Sequence, residues 1–421
     1  MSDSSDAVAA IPLQPWMRSA RTKAVIAALE AAGGPGCARF VGGCVRNALS
    51  GHPVDDVDIA TPLTPDQVIA ALEAAGLKAA PTGLDHGTVT AIVRGGPFEI
   101  TTLRRDVETD GRRAVVAFTT DWALDAQRRD FRFNAVYADP RGRLYDPTGE
   151  GVADARAGRI VFVGDPDRRI CEDALRILRF FRFQAWYGRG DPDPAGLAAC
   201  ERRRGLLAGL SAERVAKELL KLLAAADPRA ALRRMVAAGA LSAVLPEAAA
   251  LQRFERLVEI ETGQLFQCDP LLRLAALSPD DPAVGAQVAE RLRLSNAQRD
   301  RLILALEADA AIVSWMSPRE ARRAVYRLGA EVFSDRALLA WAAADRPDAT
   351  QWRALLAMAT AWAPPVLPIT GAEVMAAGVP KGPLVGAVLR AVEAWWIDND
   401  FTDDRLSLAE RLKAVAQGMT R

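Results

Sequence analysis

Strand-like segments in this chain are confined to residues 38–150, and this segregation is the feature that most constrains its fold. Within that range, short runs rich in β-branched and aromatic residues predict strands, among them TVTAIV at 88–93. After Gly164 such runs stop, and Ala-, Leu- and Arg-rich segments separated by Pro and Gly breaks predict helices. The pattern predicts an α+β multidomain chain, with an N-terminal head built on a mixed sheet and a long all-α portion after it.

The size and composition of the chain agree with several globular domains. At 421 residues it is too long for one ordinary core. Half of the residues are apolar and a quarter are charged, which is typical of soluble globular proteins. Because 53 basic residues balance 53 acidic ones, net charge gives no indication of a nucleic-acid partner.

Several classes of protein are disfavoured by the residues that the chain lacks. No apolar run is long enough to span a bilayer, and the N-terminus has no basic start followed by an apolar core, so we expect a cytoplasmic protein. Five scattered cysteines without CxxC spacing favour reduced thiols over disulfides or a zinc site. With only His52 and His86 present, a bound metal would have to be held by carboxylates.

The segment GGCVRNALSGHPVDDVDIAT, residues 42–61, concentrates two glycines, an arginine and three aspartates. Asp56 and Asp58 lie in a strand-like run, and since alternate strand residues face the same way, we expect both carboxylates on one face. Two like charges so close repel each other unless a cation lies between them. Mg²⁺ usually binds one or two protein carboxylates together with substrate phosphates. Asp56 and Asp58 are therefore the predicted metal ligands and catalytic residues.

Upstream of these acids, Gly42 and Gly43 lie between a predicted strand and a helix that begins VRNAL. Glycine lets backbone N–H groups approach an anion, and the start of a helix adds positive potential. Arg46 in the first helical turn adds a charge-assisted contact to phosphate. Each feature alone is common, because two glycines usually form a turn and DxD is usually a solvated strand end. Their order and spacing together predict a nucleoside triphosphate bound with Mg²⁺, with Gly43 and Arg46 on the phosphates.

This arrangement resembles the polymerase-β-like nucleotidyltransferases, and within them the bacterial-type tRNA nucleotidyltransferase (CCA-adding enzyme) and poly(A) polymerase family. The first signature of that family is a GGxVRD turn and helix followed by DxD. Here Asn47 stands where the family has an aspartate that steadies the neighbouring arginine. The resemblance covers residues 38–225 with several motifs in order, and it implies a polymerase-β-like catalytic head.

A second motif, RRDFRFNA at 128–135, resembles the family's RRDFTINA. In the family the second arginine contacts nucleotide phosphate and the aspartate lies near the ribose. These roles correspond to Arg129 and Asp130. The plainer interpretation is a charged cluster at a helix start, with Asp130 as its cap. We expect Arg129 to bind phosphate.

A third motif, EDALRILRFFRF, lies in a predicted helix over 172–187 and resembles the family's EDxxR, which acts as a protein template for base selection. Asp173 and Arg176 would share a helix face that Arg179 and Arg182 continue. Cytosine and adenine each offer an amino donor beside a ring-nitrogen acceptor, so an Asp acceptor beside an Arg donor matches both and mismatches uracil and guanine. The resemblance implies that Asp173 and Arg176 select CTP and then ATP, while Arg179 and Arg182 hold the triphosphate. The plainer interpretation is an intrahelical salt bridge with a solvated basic face.

The resemblance implies a Mg²⁺-dependent enzyme that adds C, C and A to tRNA 3′ ends from CTP and ATP, releasing pyrophosphate and using no nucleic-acid template. It divides the chain into a catalytic head (1–150), a neck for base recognition (151–226) and a body and tail that bind tRNA (227–421). A poly(A) polymerase, an enzyme adding only CC or only A, and a non-catalytic RNA-binding scaffold stay open as alternatives. Glu99 fits the third carboxylate of the wider superfamily, but an outward-facing edge-strand glutamate is the plainer interpretation, and it is left out of the predicted site.

Overall fold

The structure, a computed structural model, describes residues 6–109, 114–307, 311–345 and 348–420. The chain divides into two compact units, Met1–Pro246 and Glu247–Arg421. Over the described residues, every strand belongs to the first unit and the second unit is helical. The predicted class, a mixed-sheet head followed by helices, is confirmed. The finer boundaries at residues 150 and 226 stay predictions.

Several strands of the first unit fall within strand-like runs of the sequence, and the run 88–93 is reproduced in full. The strands Ala9–Ala10, Lys78–Gly83 and Arg143–Tyr145 are not predicted from the sequence. The strands are β1 (Ala9–Ala10), β2 (Arg39–Val41), β3 (Asp58–Thr61), β4 (Lys78–Gly83), β5 (Thr88–Val93), β6 (Gly96–Thr102), β7 (Arg104–Thr109), β8 (Ala114–Phe118), β9 (Tyr137–Ala138) and β10 (Arg143–Tyr145). Eight of them form one sheet in the order β1-β10-β9-β2-β3-β6-β5-β4, and β7 pairs with β8 separately. The sheet is mixed because β3 and β6 run parallel while its other pairs are antiparallel.

Helices of the first unit pack on both faces of this sheet and continue beyond it. They are α1 (Pro15–Arg18), α2 (Ala20–Gly33), α3 (Gly43–Ser50), α4 (Pro65–Ala74), α5 (Trp122–Gln127), α6 (Gly151–Ala157), α7 (Pro166–Glu172), α8 (Leu175–Tyr187), α9 (Pro194–Arg203), α10 (Ala212–Leu223), α11 (Arg229–Ala237) and α12 (Ala240–Val244).

One face of the sheet is apolar and buried, and the opposite face combines a second, smaller buried cluster with polar groups. Phe40, Ile59 and Ile100 are fully buried in one cluster with apolar residues of α2 and α4. Because side chains alternate along a strand, Asp58 and Glu99, each one residue before such a core position, project from the opposite face. The core of the head therefore determines which face presents the acids.

The prediction of one continuous helix over 172–187 is wrong, because the helix is interrupted at Asp173. α7 ends at Glu172 and α8 begins at Leu175, with Asp173 in an extended conformation between them (φ −154°, ψ 105°). The Oδ1 atom of Asp173 accepts a hydrogen bond from the backbone N–H of Leu175 at 3.1 Å. A short acidic side chain competes in this way for backbone donors, which favours a helix end over a helix interior. Asp173 and Arg176 therefore do not share one helix.

The second unit consists of helices around two apolar clusters, one centred on Phe333 and Trp341 and the other on Val388 and Trp396. None of the helices described in either unit is both long and apolar enough to cross a bilayer. Those of the second unit are α13 (Leu251–Gln264), α14 (Pro270–Leu277), α15 (Pro282–Arg291), α16 (Asn296–Leu306), α17 (Pro318–Leu328), α18 (Ala330–Ala343), α19 (Ala349–Ala361), α20 (Gly371–Ala376), α21 (Pro383–Asp398) and α22 (Arg405–Thr420).

Candidate nucleotide-binding active site

A glycine turn joins β2 to α3 and brings the start of that helix beside β3. Gly42 has φ 70° and ψ −126°, a left-handed conformation that favours glycine. A Cβ atom at this position would also lie 3.6 Å from Oδ2 of Asp58. Gly43 follows as the first residue of α3. The turn therefore places Gly42 beside the carboxylate of Asp58, and its positive φ is what favours glycine at this position.

Two carboxylates meet where β3 and β6 run side by side. β3 begins at Asp58, whose parallel partner on β6 is Glu99. Asp56, by contrast, precedes the strand and is exposed. Asp58 is the first residue of β3 that pairs with either neighbouring strand, so Asp56 lies two residues before the strand begins. The expectation that both aspartates lie in one strand is therefore wrong for Asp56.

The electrostatics of Asp58 suit a bound cation. Burial raises its pKa to about 6, and the carboxylates of Glu99 and Asp56 act in the same direction, against the opposing charge of Arg129. Carboxylates that repel each other at a partly buried position gain from a divalent cation that offsets the repulsion. No three His, Cys, Asp or Glu side chains among the described residues enclose a metal by themselves. The arrangement fits an ion completed by water and substrate phosphate, the usual situation for Mg²⁺.

Arg46 is held in place by neutral partners. Its Nη1 donates to Oδ1 of Asn134 at 2.8 Å, and its Nε and Nη2 donate to Oδ1 of Asn47 at 3.1 and 3.0 Å. Its Nη2 also donates to the hydroxyl of Tyr187 at 2.9 Å, and the guanidinium lies 4.3 Å from the centre of that ring. Asn47 therefore steadies Arg46, as the family's aspartate does, but adds no negative charge. The amide of Asn47 also donates to the carbonyl of Pro53 at 2.5 Å, in the segment that leads to Asp56.

Arg129 is fixed by a buried carboxylate that the sequence analysis does not single out. Asp125, which is 1% exposed, accepts from Nη2 of Arg129 at 2.9 Å and from Nε of Arg128 at 2.8 Å. The hydroxyl of Tyr137 donates to the same carboxylate at 2.6 Å. Burial alone would favour the neutral acid, but the attraction of Arg129 and Arg128 holds the pKa of Asp125 well below its usual range. Asp125 thereby orients Arg129 toward Gly42. A Cβ atom added to Gly42 would lie 3.9 Å from Nη1 of Arg129.

Asp130 links the head to α8. Its carboxylate accepts from Nε of Arg179 at 2.7 Å and from the side-chain amide of Asn134 at 3.0 Å. Burial opposes ionisation of Asp130, but the charge of Arg179 and the hydrogen bond from Asn134 outweigh it and lower the pKa to about 2. The plainer interpretation of Asp130 as a helix cap does not hold, because Phe131 occupies the cap position of the short helix Arg132–Asn134. Among the described contacts, the one backbone N–H that Asp130 binds is that of Phe131, at 2.8 Å.

Glu218 on α10 forms ion pairs with two arginines of α8. Its carboxylate is 5% exposed and lies 3.1 Å from Nε of Arg182 and 3.8 Å from Nη1 of Arg179. Burial lowers the pKa of Arg182 to about 10, and Glu218 opposes that shift. The two arginines are thus held as charged groups on one wall.

These elements enclose a cavity of about 530 Å³ within the first unit. Five of its lining side chains are cationic and two are acidic, so the wall suits a polyanion. A groove of about 750 Å³ between α2 and α4 is larger, but alanines form most of its lining and it carries no titratable group. The smaller cavity is lined by Gly42, Gly43, Arg46, Asp58, Arg129, Asp130, Asn134, Arg179, Arg182, Phe183, Trp186, Tyr187 and Lys221.

The two residues predicted to read the base do not pair with each other. Asp173 accepts from Nη2 of Arg214 at 2.7 Å, whereas Nη1 of Arg176 contacts Oε2 of Glu172 at 2.8 Å. Arg176 also donates to the backbone carbonyl of Arg169 at 2.7 Å. The simple salt bridge between Asp173 and Arg176 is therefore absent from the described contacts. Both residues lie at the junction of α7 and α8, before the turns of α8 that carry the other arginines.

The structure thus brings together most of the predicted site. Gly43, Arg46, Asp58, Arg129, Arg179 and Arg182 line one cavity, whereas Asp56, Asp173 and Arg176 are not among the described residues that line it. The motifs do not reveal Asp125, although it lies three and four residues before Arg128 and Arg129, which is a helical ion-pair spacing. Glu218 and Lys221 carry no local signal, because their neighbours belong to a different helix. Residues 103–118 resemble the family's mobile loop between strands, and residues 110–113 of that segment lie outside the described residues.

Two protein-family models match segments of this chain. A family model described as the poly A polymerase head domain matches residues 38–161. A second, described as a probable RNA and SrmB-binding site of polymerase A, matches residues 191–251. The first match covers the sheet except β1, together with the glycine turn and the RRD motif, and the second covers α10.

Two similar proteins match this chain over nearly its whole length. The mitochondrial CCA tRNA nucleotidyltransferase 1 of Mus musculus is 32% identical over 392 residues, covering 89% of this chain and 86% of the relative. The CCA-adding enzyme of Lacticaseibacillus paracasei is 31% identical over 375 residues, covering 88% of this chain and 89% of the relative. Among solved structures, the Bacillus stearothermophilus CCA-adding enzyme in complex with CTP has a TM-score of 0.74 at 25% identity, covering 96% of this chain and 98% of that one. This chain therefore belongs to the CCA-adding enzyme family of tRNA nucleotidyltransferases.

Proposed function

We propose that this chain adds C, C and A to the 3′ end of tRNA from CTP and ATP, with release of pyrophosphate and no nucleic-acid template. The observation that carries the proposal is the cavity in which Asp58 faces a wall of fixed arginines. Relatives that share most of its length bear the names of enzymes with this activity. A similar structure was solved with CTP bound.

The cationic wall would bind the triphosphate of the incoming nucleotide. Arg129, Arg179 and Arg182 are each held by a buried carboxylate, so binding would require little further ordering of their side chains. Gly43 and Arg46 would add backbone N–H groups and positive potential at the start of α3. The same charges would stabilise the negative charge that develops on the transferred phosphate.

Enzymes of this family are metal-dependent, and we propose Mg²⁺ as the ion. Asp56 and Asp58 would hold it, with Glu99 beside them on the neighbouring strand. Bound there, the ion would supply Lewis-acid stabilisation of phosphate charge and lower the pKa of the attacking hydroxyl. In the reaction the tRNA 3′ oxygen forms a bond to the α-phosphorus as the bond to the pyrophosphate oxygen breaks, and the hydroxyl proton is lost to solvent.

Base selection would take place at the junction of α7 and α8. Arg214 fixes Asp173 and the backbone carbonyl of Arg169 fixes Arg176, so both side chains have defined positions. We propose that Asp173 accepts the amino group of cytosine or adenine and that Arg176 donates to the adjacent ring nitrogen. Uracil and guanine would present a donor to Arg176 and an acceptor to Asp173, which leaves both pairs unsatisfied.

Replacing Arg176 with alanine tests this template directly. We expect the preference for CTP and ATP over UTP and GTP to fall by about 10- to 100-fold, since one bidentate contact discriminates by about 1–3 kcal/mol. Single-nucleotide incorporation with each of the four triphosphates measures the change. Arg168→Ala is the matched control, because Arg168 lies on the preceding helix with its side chain 81% exposed. An unchanged preference in Arg176→Ala would refute the templating role.

Glu99→Gln tests whether the third carboxylate contributes to metal binding. The substitution keeps the shape of the side chain and removes a charge beside Asp58. We expect the Mg²⁺ concentration for half-maximal activity to rise about three- to tenfold, because one acidic neighbour of the ion is lost. An unchanged metal requirement would leave Glu99 as a solvent-facing strand residue.

One assay distinguishes the proposed function from its alternatives. Purified protein is incubated with tRNA lacking CCA and with each triphosphate singly and in combination. Three residues added only when CTP and ATP are both present support the proposal. A long A tail would indicate a poly(A) polymerase, addition of only CC or only A a partial enzyme, and no incorporation an RNA-binding scaffold.

The compartment is a separate proposal. Relatives include a mitochondrial protein, so the family alone does not assign one. The scattered cysteines favour a reducing compartment, and we propose the cytoplasm.

A further inference from the structure

Lys221 is a cationic residue of the cavity to which neither the motifs nor the site description assigns a role. It is exposed on α10 and lines the cavity together with Arg182 and Trp186. Among the described residues its ammonium group has no ion pair, whereas Arg129, Arg179 and Arg182 each have one. Lys221 and Arg46, whose partners are neutral, are therefore the two cations lining the cavity that have no carboxylate partner among the described contacts.

The position of Lys221 along the cavity follows from how α10 accompanies α8. Arg214 of α10 contacts Asp173, at the end where the base would bind. Glu218, one turn later, contacts Arg182. One further turn along, the carbonyl of Lys221 accepts from the indole N–H of Trp186 at 2.7 Å. Lys221 therefore lines the cavity about two helical turns along α10 from the residue that contacts Asp173.

The local charge around Lys221 favours an anion. Burial and repulsion by Arg182 and Lys217 lower the pKa of Lys221, against the attraction of Glu218. An anion bound between Lys221 and Arg182 would relieve this repulsion. The two ends of a nucleoside triphosphate are its base and its γ-phosphate, so a base at Asp173 directs the outer phosphates toward Lys221.

We propose that Lys221 and Arg182 form an outer phosphate subsite, which binds the β- and γ-phosphates of the incoming nucleotide and then the pyrophosphate product. The inference rests on the proposed function, because it takes the base to lie at Asp173 and Arg176. Trp186 forms the adjacent wall and stays 40% exposed, with its indole N–H tied to the α10 backbone. Such a subsite serves CTP and ATP alike, because it does not contact the base.

Calorimetric titration of the full-length protein tests the subsite without relying on turnover. CTP, ATP and inorganic pyrophosphate, each with Mg²⁺, are titrated into wild type, Lys221→Met and Lys217→Met. Methionine keeps the length of the side chain and removes the charge. Lys217 is the matched control because it lies one turn earlier on α10, is exposed, and is not among the described lining residues.

We expect the Kd of all three ligands to rise about tenfold in Lys221→Met, as the loss of one charge-assisted phosphate contact predicts. Lys217→Met should match wild type within about twofold, the spread that surface substitutions usually show. Lys221→Arg should recover most of the affinity. The Kd for tRNA lacking CCA should be unchanged in Lys221→Met.

Two results would overturn the inference. Equal affinity of Lys221→Met and wild type for all three phosphates would show that the ammonium group contacts none of them. Weaker binding of tRNA alone would place Lys221 on the tRNA backbone instead. In either case wild type still binds CTP, so the proposed function stands; wild type that binds neither CTP nor pyrophosphate would contradict both.

Discussion

Asp58→Asn is expected to reduce nucleotide incorporation by about 10³-fold or more, the largest effect of any substitution considered. Asp58 is the one acid of the DxD pair that both lies in β3 and lines the cavity. Metal-assisted stabilisation of phosphate charge is worth several kcal/mol, and each 1.36 kcal/mol corresponds to about a factor of ten. Single-turnover incorporation of CTP into tRNA lacking CCA measures the loss.

Asp55→Asn is the matched control for this substitution. Asp55 precedes the pair by one residue, is exposed, and has no role in the proposed site. We expect it to retain nearly full activity, because surface substitutions usually change stability and function little. Removal of a metal ligand should cost far more than a factor of ten in activity. If Asp58→Asn retained more than about a tenth of wild-type activity, the assignment of Asp58 as a metal ligand would therefore be wrong.

Asp58→Asn should keep its fold, and without metal it should be at least as stable as wild type. Burial raises the pKa of Asp58 to about 6, so the folded state binds a proton more readily than the unfolded chain. For a group shifted in this direction, stability falls as pH rises from the unfolded pKa through the folded one. At neutral pH the charged Asp58 therefore destabilises the metal-free protein, and asparagine removes that cost. Thermal melts in a chelating buffer at neutral pH should give Asp58→Asn a Tm equal to or above that of wild type.

Asp125→Asn is expected to have the second largest effect, on both stability and activity. The carboxylate is 1% exposed and binds two guanidinium groups and a tyrosine hydroxyl. Removing one partner of a buried ion pair leaves uncompensated charge, which predicts a loss of about 2–4 kcal/mol in the free energy of unfolding. Because Arg129 loses the group that orients it, we also expect kcat/KM to fall about 100-fold. Urea denaturation and steady-state kinetics measure the two effects.

The pH dependence of this difference has a definite sign. The pKa of Asp125 is held below its ordinary value, so its contribution to stability is present above the unfolded pKa and is lost as pH falls. The gap in unfolding free energy between wild type and Asp125→Asn should be full at pH 7 and narrow below about pH 4. Asp121→Asn is the control, because Asp121 caps the same helix and asparagine caps equally well. A gap that stayed constant with pH would contradict the ion-pair account.

Local pattern was enough to predict much of the fold. Residues 88–91 of the strand over 88–93 alternate polar and apolar side chains, and the two apolar ones, Val89 and Ala91, are buried in the core of the head. The helix predicted over 172–187 failed at Asp173 because helical spacing does not reveal a side chain that caps the following backbone. Capping depends on the rotamer and backbone of one residue, and the periodicity of its neighbours carries no information about it.

The candidate site was predictable only where its residues are close in sequence. The glycine turn and Asp58 occupy one short segment, so a motif reveals them. Glu99 meets Asp58 through the pairing of β3 with β6, two strands separated by β4 and β5 in sequence, and no local signal gives that register. Lys221 and Glu218 reach the cavity only because α10 packs along α8. Contacts between distant elements therefore account for what the sequence analysis left out.

A crystal structure of the chain with CTP and Mg²⁺ tests the central claim most directly, since that claim is a location. We expect the α-phosphate beside Asp58, the outer phosphates against Arg182 and Lys221, and the cytosine at Asp173 and Arg176. A nucleotide bound elsewhere, as in the alanine-lined groove between α2 and α4, or bound with its base against Lys221, would contradict the account.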